Sequence, residues 1–266
     1  MKIFVVNLKS SVERRKIMEK QLDDLGLPFE ILEAVNGKTL GEEEIMKHYD
    51  GNYYSRKPDY FTPGMAGCTI SHYNLYKKIV EEDIEVALIL EDDMQLSKDL
   101  PDVLKKLEGE IREDEIIMLF YQSYEAINLS SASAQSATGC YNLMQVINLN
   151  RLRSTGAYIV SKKTAKKMAE SLLPFCSFPD DWKSFYDRKI INGVRVVYPF
   201  LLSNTYEPTT ISPNKKGGAF LQNLIMLVEE FKIPPLYQLL KMRRKRNILK
   251  SQQCFILNES PVDYRK

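Results

Sequence analysis

Apolar and polar positions alternate in short blocks along the chain, and each block predicts an element. Residues 3–8, Ile-Phe-Val-Val-Asn-Leu, form an almost continuous apolar run, as expected of a strand buried on both faces. Ser10 and Glu13, three residues apart, fit a capping box that opens a helix through about Gly26. Met18, Leu22 and Leu25 recur in it at helical spacing. A second strand is predicted over 29–33 and ends in the turn signal Ala34-Val35-Asn36-Gly37. Residues 66–82 read as a helix with Cys68, Leu75 and Ile79 on one side. The cleanest buried strand is Val86-Ala87-Leu88-Ile89-Leu90, which runs straight into Glu91-Asp92-Asp93.

Further strands are predicted over 116–120, 155–160 and 194–198, the last closing the body of the protein. Between them, 130–138 is rich in small polar residues and is expected to be a loop or mobile segment. A helix carrying Ala165, Met168, Ala169 and Leu172 on one face follows residue 160. No internal repeat is present. Strand–helix alternation predicts an α/β fold: a single domain with a mainly parallel central sheet flanked by helices. It is expected to span residues 1–215, with a helical, basic extension over 216–266.

Composition narrows the class. At 266 residues, 44% hydrophobic and 27% charged, the chain has the makeup of an ordinary globular protein with a sizeable core. No apolar run reaches the ~20 residues needed to cross a bilayer. The opening Met1-Lys2-Ile3-Phe4-Val5-Val6-Asn7 reads as a first strand rather than a secretory segment. Cys68, Cys140, Cys176 and Cys254 form no CxxC pair, which argues against a zinc site and suggests reduced thiols in a cytoplasm-like compartment. Six positive charges fall in residues 241–250, so a net +2 for the whole chain leaves −4 for the remainder. Basic residues cluster only in the tail, a distribution that does not point to nucleic acid.

The chemistry is expected at the end of the strand that leads into Glu91-Asp92-Asp93, because open α/β sheets bind ligands outside the carboxyl ends of their strands. Carboxylates there hold a cation or enter a hydrogen-bond network, and oxygen ligands suit Mn²⁺ or Mg²⁺ bridging to a diphosphate. A plain solvated acidic turn is the alternative. Gly64-Met65-Ala66-Gly67-Cys68-Thr69-Ile70-Ser71-His72 sets glycines ahead of a helix, where backbone could approach a ligand. His72 shares the side of Cys68 and Leu75, the position of a packed, hydrogen-bonded core histidine, whereas His48 reads as a surface residue. In Phe178-Pro179-Asp180-Asp181-Trp182 the aspartates could simply start a helix, and the tryptophan could stack on a sugar ring.

Taken in order, these segments resemble glycosyltransferase family 25, which includes bacterial lipooligosaccharide galactosyl- and glucosyltransferases and is related to collagen galactosyltransferases. The likeness rests on Val5-Val6-Asn7-Leu8 with Ser11 and Glu13-Arg14-Arg15, on Ala34-Val35-Asn36-Gly37, and on Gly67-Cys68 with Ser71-His72. It continues through Leu90-Glu91-Asp92-Asp93, Thr155-Gly156-Ala157-Tyr158-Ile159-Val160-Ser161 with Ala165, and Pro179-Asp180-Asp181-Trp182. Together they cover about residues 1–212.

The resemblance implies a GT-A-like fold and a metal-dependent, inverting transfer from a nucleotide sugar. By the same analogy Asp93 is the direct metal ligand for Mn²⁺ (or Mg²⁺), and Asp92 reaches the donor ribose or the metal, with Glu91 supporting both. Asn7, Arg14 and Arg15 lie where the nucleotide should sit, the arginines having a solvated helix face as their alternative. Gly67, Ser71 and His72 are grouped with the donor-binding residues. An inverting transfer needs a general base, and Asp180 and Asp181 are the candidates. No histidine follows His72, so a late histidine ligand, common among GT-A enzymes, is missing.

The expected reaction moves a hexose, galactose first, from a UDP-sugar to a lipooligosaccharide or other glycan acceptor, lipid-linked. In the tail, Leu236-Tyr237-Gln238-Leu239-Leu240 followed by Lys241-Met242-Arg243-Arg244-Lys245-Arg246 joins apolar to basic residues. Residues 236–246 could therefore contact the inner face of the cytoplasmic membrane, or a further subunit in a homo-oligomer. Two rival classes remain, a metal-dependent phosphoesterase or nucleotidyltransferase and a catalytically inactive binding module.

Overall fold

The structure, a computed structural model, describes residues 1–56, 61–123, 125–205 and 219–259. The first part of the chain forms β1 (Lys2–Asn7), α1 (Val12–Asp24), β2 (Glu30–Glu33), α2 (Glu42–Met46), α3 (Gly51–Ser55), α4 (Pro63–Glu81), β3 (Val86–Glu91) and β4 (Met94–Gln95). There follow α5 (Leu100–Leu107), β5 (Glu115–Ser123), β6 (Ile127–Thr138), β7 (Tyr141–Val146), β8 (Leu152–Ser161), α6 (Lys162–Leu172), α7 (Trp182–Asp187) and β9 (Gly193–Tyr198). Last come β10 (Ser203–Asn204), α8 (Ala219–Glu230), α9 (Leu236–Ser251) and β11 (Cys254–Leu257).

Nine of these strands make one sheet in the order β11-β6-β7-β9-β5-β8-β3-β1-β2. The expected α/β architecture is present. The sheet is parallel across β2, β1 and β3, then β8 enters antiparallel to both β3 and β5, so the whole is mixed. Strand alternation sends Phe4, Val6, Ala87 and Ile89 to one face, under α4 and α6. Ile3, Val5, Leu88 and Leu90 go to the other, under α1 and α5. Burial on both faces explains the unbroken apolar runs, since each fully buried aliphatic side chain contributes about 1.5–3 kcal/mol.

Local signals set the element ends. Helix α1 starts after Ser11, which makes no side-chain cap bond, so the capping box expected from Ser10 and Glu13 does not form. It ends where Gly26 turns left-handed at φ 65°, the Gly26 N–H bonding to Asp23 O and the Leu27 N–H to Leu22 O. Helix α4 is capped by the Thr62 hydroxyl, which accepts the Met65 N–H, and has Pro63 in its first turn.

Three expectations are corrected. Residues 130–138 are not a loop: they belong to β6, which hairpins into β7 through Gly139 at φ 52°. Serine and alanine give no strand signal of their own, and pairing with the apolar β7 imposes one. Nor is β9 the last strand of the body, because β10 follows and pairs antiparallel with β4. The chain end also returns to the sheet, where β11 pairs in parallel with β6. The division expected at residue 215 lies outside the described residues.

Candidate functional site

The register Val6↔Glu91 between β1 and β3 brings Asn7 level with Asp92 where both strands end. The two meet directly, Asn7 Nδ2 donating to Asp92 Oδ2 at 2.7 Å while also reaching Ser11 O. From the first turn of α1, Arg14 Nη1 donates to Asp92 Oδ1 at 3.0 Å and lies 3.9 Å from Asp93 Oδ2. Asp92 is thus held on both oxygens by Asn7 and Arg14, two residues expected against the nucleotide.

Asp93 has a different environment. Its Oδ1 is buried without a hydrogen-bond partner. Burial pushes its carboxyl up, while the charge of Arg14 and a hydrogen bond from the Asn204 side chain pull it down. Asn204 reaches it because Thr205 N–H bonds to Asp93 O, beside the β4–β10 pairing. An unpaired buried carboxylate oxygen at a strand end fits a hard divalent cation, and Asp93 is the residue best placed to hold one.

Glu91 faces β8. Its Oε1 accepts the Thr155 hydroxyl at 2.5 Å and stands 4.0 Å from His72 Nε2. Burial, and then the charge of Asp93, push its carboxyl up to about 8. His72 is 1% exposed and its Nδ1 meets the Tyr158 hydroxyl at 2.9 Å, which in turn meets the Tyr76 hydroxyl at 2.8 Å. It is therefore the packed, hydrogen-bonded core histidine, and burial drives its pKa down to about 4, so the ring is neutral.

Asp180 and Asp181, adjacent in sequence, are separated in role. Asp181 is the N-cap of α7, its Oδ1 accepting the Ser184 N–H at 3.4 Å. Asp180 instead turns toward β8, where its Oδ2 accepts the Ser154 N–H at 3.2 Å. It lies close enough to the β3 end for its charge to raise the Glu91 carboxyl and the Cys68 thiol. Burial raises Asp180 itself, against the Ser154 N–H and the Arg153 charge.

The remaining expected residues divide between cleft and scaffold. Arg14, Ser71, His72, Asp92 and Asp93 line one cleft with Glu91, Cys68, Val6, Leu8, Ala34 and Val35. An adjoining hollow continues along Leu8, Lys9, Ser10 and Asn36 past the ends of β1 and β2. Ser71 is also structural, donating to Gly67 O at 2.6 Å and accepting the Val35 N–H at 2.8 Å. Gly67 brings its backbone against other backbone rather than a ligand: a Cβ there would lie 2.5 Å from both Gly37 N and Val35 O. Arg15 is on the solvent side, ion-paired with Glu19 at 2.7 Å. Trp182 offers no sugar platform, being fully buried with its indole N–H on Ser154 O and its ring against Tyr158. His48 is half-buried and stacks on Phe175. Ser154 and Asn204 carry no sequence signal, and Thr155 enters only as part of a predicted strand, since pairing is what shows which groups polar residues at strand ends face.

An α/β domain with carboxylates gathered at the carboxyl ends of its central strands, beside an open cleft, is one built to bind a ligand there. The chain belongs to glycosyltransferase family 25 (LPS biosynthesis protein), whose model matches residues 1–182. It is 26% identical over 231 residues to procollagen galactosyltransferase 1-A of Xenopus laevis, covering 81% of this chain and 36% of that protein. It is 37% identical over 101 residues to a glycosyltransferase 25 family member of Drosophila melanogaster, covering 35% of this chain and 16% of that protein. The chain thus spans about a third or less of these relatives' length. A crystal structure of a glycosyltransferase involved in the glycosylation of the major capsid of PBCV-1 is 14% identical, with a TM-score of 0.35, covering 78% of this chain and 84% of that one. No helix among the described residues is long and apolar enough to cross a membrane.

Proposed function

We propose that the protein transfers a hexose, galactose first, from a UDP-sugar to a hydroxyl of a glycan acceptor, with inversion at the anomeric carbon. The observation that carries this reading is the unpartnered buried oxygen of Asp93 in the cleft, at a strand end whose Glu91 carboxyl is also raised by the charge of Asp180. The nucleotide lies along the ends of β1 and β2, in the cleft beside Leu8 and Val35. Asp93 would hold a divalent cation, Mn²⁺ or Mg²⁺, and Asn7 and Arg14 fix Asp92 beside it. When bound, such a cation neutralises the charge that develops on the departing diphosphate.

Asp180 is the general base. It takes the proton of the acceptor hydroxyl as that oxygen bonds to the anomeric carbon and the bond to UDP breaks. Its raised carboxyl makes it a better proton acceptor than an ordinary aspartate, and its Ser154 hydrogen bond aims it. Asp181 is assigned the N-cap of α7 instead, where its Oδ1 accepts the Ser184 N–H. The galactose assignment draws on the name of the frog relative. A lipid-linked acceptor suits the exposed Leu236, Leu239 and Met242 of α9, which stand among Arg243, Lys245 and Arg246 as on a surface that meets anionic lipid.

The test is binding and hydrolysis of a panel of UDP-sugars, with and without Mn²⁺, beside Asp93→Ala. Metal-dependent turnover of one sugar that the variant loses supports the reading and names the donor. Absence of any nucleotide-sugar binding with every metal overturns it in favour of a non-catalytic binding module.

A further inference from the structure

A second set of metal-ligating atoms faces the cleft beside Asp93. Helix α4 carries Cys68 and His72 four residues apart, a spacing that stacks them on one helix face. That face meets the end of β3 at Glu91. The Cys68 Sγ, a His72 ring nitrogen and a Glu91 carboxylate oxygen lie within 4.8 Å of one another. His72 Nε2 is buried with no hydrogen-bond partner, an arrangement that is unfavourable if nothing fills it. Its other nitrogen, Nδ1, is fixed by the Tyr158 hydroxyl, which Tyr76 holds in turn. A neutral ring that donates from Nδ1 turns the lone pair of Nε2 toward Cys68 and Glu91. Metal-bound histidines are oriented in this way, through a hydrogen bond on the nitrogen away from the metal.

We infer that Cys68, His72 and Glu91 form a three-ligand site for a borderline-soft divalent cation of the zinc type, with a fourth position open to the cleft. Thiolate and imidazole select this class of ion, whereas Mg²⁺ and Mn²⁺ prefer the all-oxygen surroundings of Asp93. Metal–ligand distances of about 2.0–2.3 Å place tetrahedral ligands roughly 3.3–3.8 Å apart. Binding therefore requires the ligand atoms to draw in from separations of up to 4.8 Å, with Glu91 exchanging its Thr155 hydrogen bond for the metal. On binding, the Cys68 S–H bond is replaced by sulfur–metal coordination, Glu91 gives up the proton it carries below about pH 8 to coordinate as the carboxylate, and both protons leave to solvent. The site stands whether or not the chain transfers a sugar. It also departs from the expectation drawn from the missing CxxC pair, because its ligands come from one helix turn and a strand end.

The experiment uses the full chain, stripped of metal under a non-thiol reductant and titrated with Co²⁺, whose spectrum reports thiolate ligation and coordination number. The expected result is a near-ultraviolet thiolate charge-transfer band with strong visible bands of four-coordinate cobalt. These saturate at one equivalent and are displaced by Zn²⁺ but not by excess Mg²⁺. The bands must disappear in Cys68→Ser and persist in Asp93→Asn. A Cys140→Ser/Cys176→Ser/Cys254→Ser variant, which leaves Cys68 as the one thiol, must keep them even if Cys68→Ser fails to fold. Absence of the charge-transfer band in the parent protein, its loss in the triple variant or its survival in a folded Cys68→Ser overturns the site.

Discussion

Asp180 Oδ2 accepts the backbone N–H of Ser154 at 3.2 Å, and Ser154 adopts φ 89° where it does so. A non-glycine residue in that region costs on the order of 1–3 kcal/mol and persists only where its surroundings hold it. Here they do: Ser154 O accepts the Trp182 indole N–H, and Ser154 Oγ accepts the Gly156 N–H. The buried tryptophan thus fixes the turn that aims the aspartate, a positioning role in place of the expected sugar contact.

This geometry predicts different outcomes for two neighbouring carboxylates. Asp180→Asn keeps an acceptor for Ser154 and removes the proton acceptor, so kcat falls by about 10²–10⁴ with little change in thermal midpoint. Asp181→Ala removes the α7 cap, which costs about 1 kcal/mol, and leaves kcat near the parent value. Rate measurements and melts on both variants check the split. A larger kcat loss in Asp181→Ala than in Asp180→Asn would show that Asp180 is not the base.

Glu91 makes stability depend on pH. Burial and the Asp93 charge carry its carboxyl from 4.5 to about 8. Between those values the folded chain keeps a proton that the unfolded chain has released. Its contribution to stability is therefore full below pH 4.5, declines as pH rises through the window, and is lost above about 8. In chelator, Glu91→Gln is expected to flatten this slope and to be more stable than the parent at the alkaline end. Urea melts across the window measure it, and parallel slopes for the two proteins would remove Glu91 as the cause.

The parts of this architecture that were legible in the sequence are those with strong periodicity. The apolar runs at 3–8 and 86–90 located the two parallel strands whose ends carry Asn7 and Asp92, and so located the cleft. The β6–β7 hairpin was not legible, because serine and alanine take their conformation from the neighbouring strand. Residue roles were legible only where chemistry is local, as in the capping aspartate at 181. That Asp92 is engaged by Asn7 and Arg14, while Asp93 keeps an unpaired oxygen, depends on strand register across 85 residues of chain, which no local pattern encodes.

Gly67 ties the fold to the cleft. A methyl at this position meets Gly37 N and Val35 O at 2.5 Å, and backbone atoms cannot rotate away. Gly67→Ala therefore forces α4 off the turn at residues 35–37, at a cost of about 1–3 kcal/mol. Ala34 and Val35 line the cleft, so KM for the donor is expected to rise more than kcat falls. Donor titrations with a melt on the same preparation test this. An unchanged melting point would mean that the helix and turn are not in the contact described.

Far from the cleft, Arg195 and Glu115 form a two-pronged ion pair inside the core, with Nε to Oε1 at 2.7 Å and Nη2 to Oε2 at 2.6 Å. Arg195 is 1% exposed, and its other donors reach Gln135 Oε1 and Glu110 O. Register explains the pairing, since Glu115 lies opposite Gly193 and Arg195 opposite Ile117 on adjacent parallel strands. Removing one member of such a pair leaves an uncompensated buried charge, which costs about 3–5 kcal/mol, whereas replacing both by apolar groups is often neutral. Arg195→Met is accordingly expected to lower the denaturation midpoint sharply, and Arg195→Met with Glu115→Leu to recover most of the loss. Urea unfolding of the single and double variants decides it. If the double variant is as unstable as the single one, the hydrogen bonds to Gln135 and Glu110, rather than the charge pair, set the stability of this strand junction.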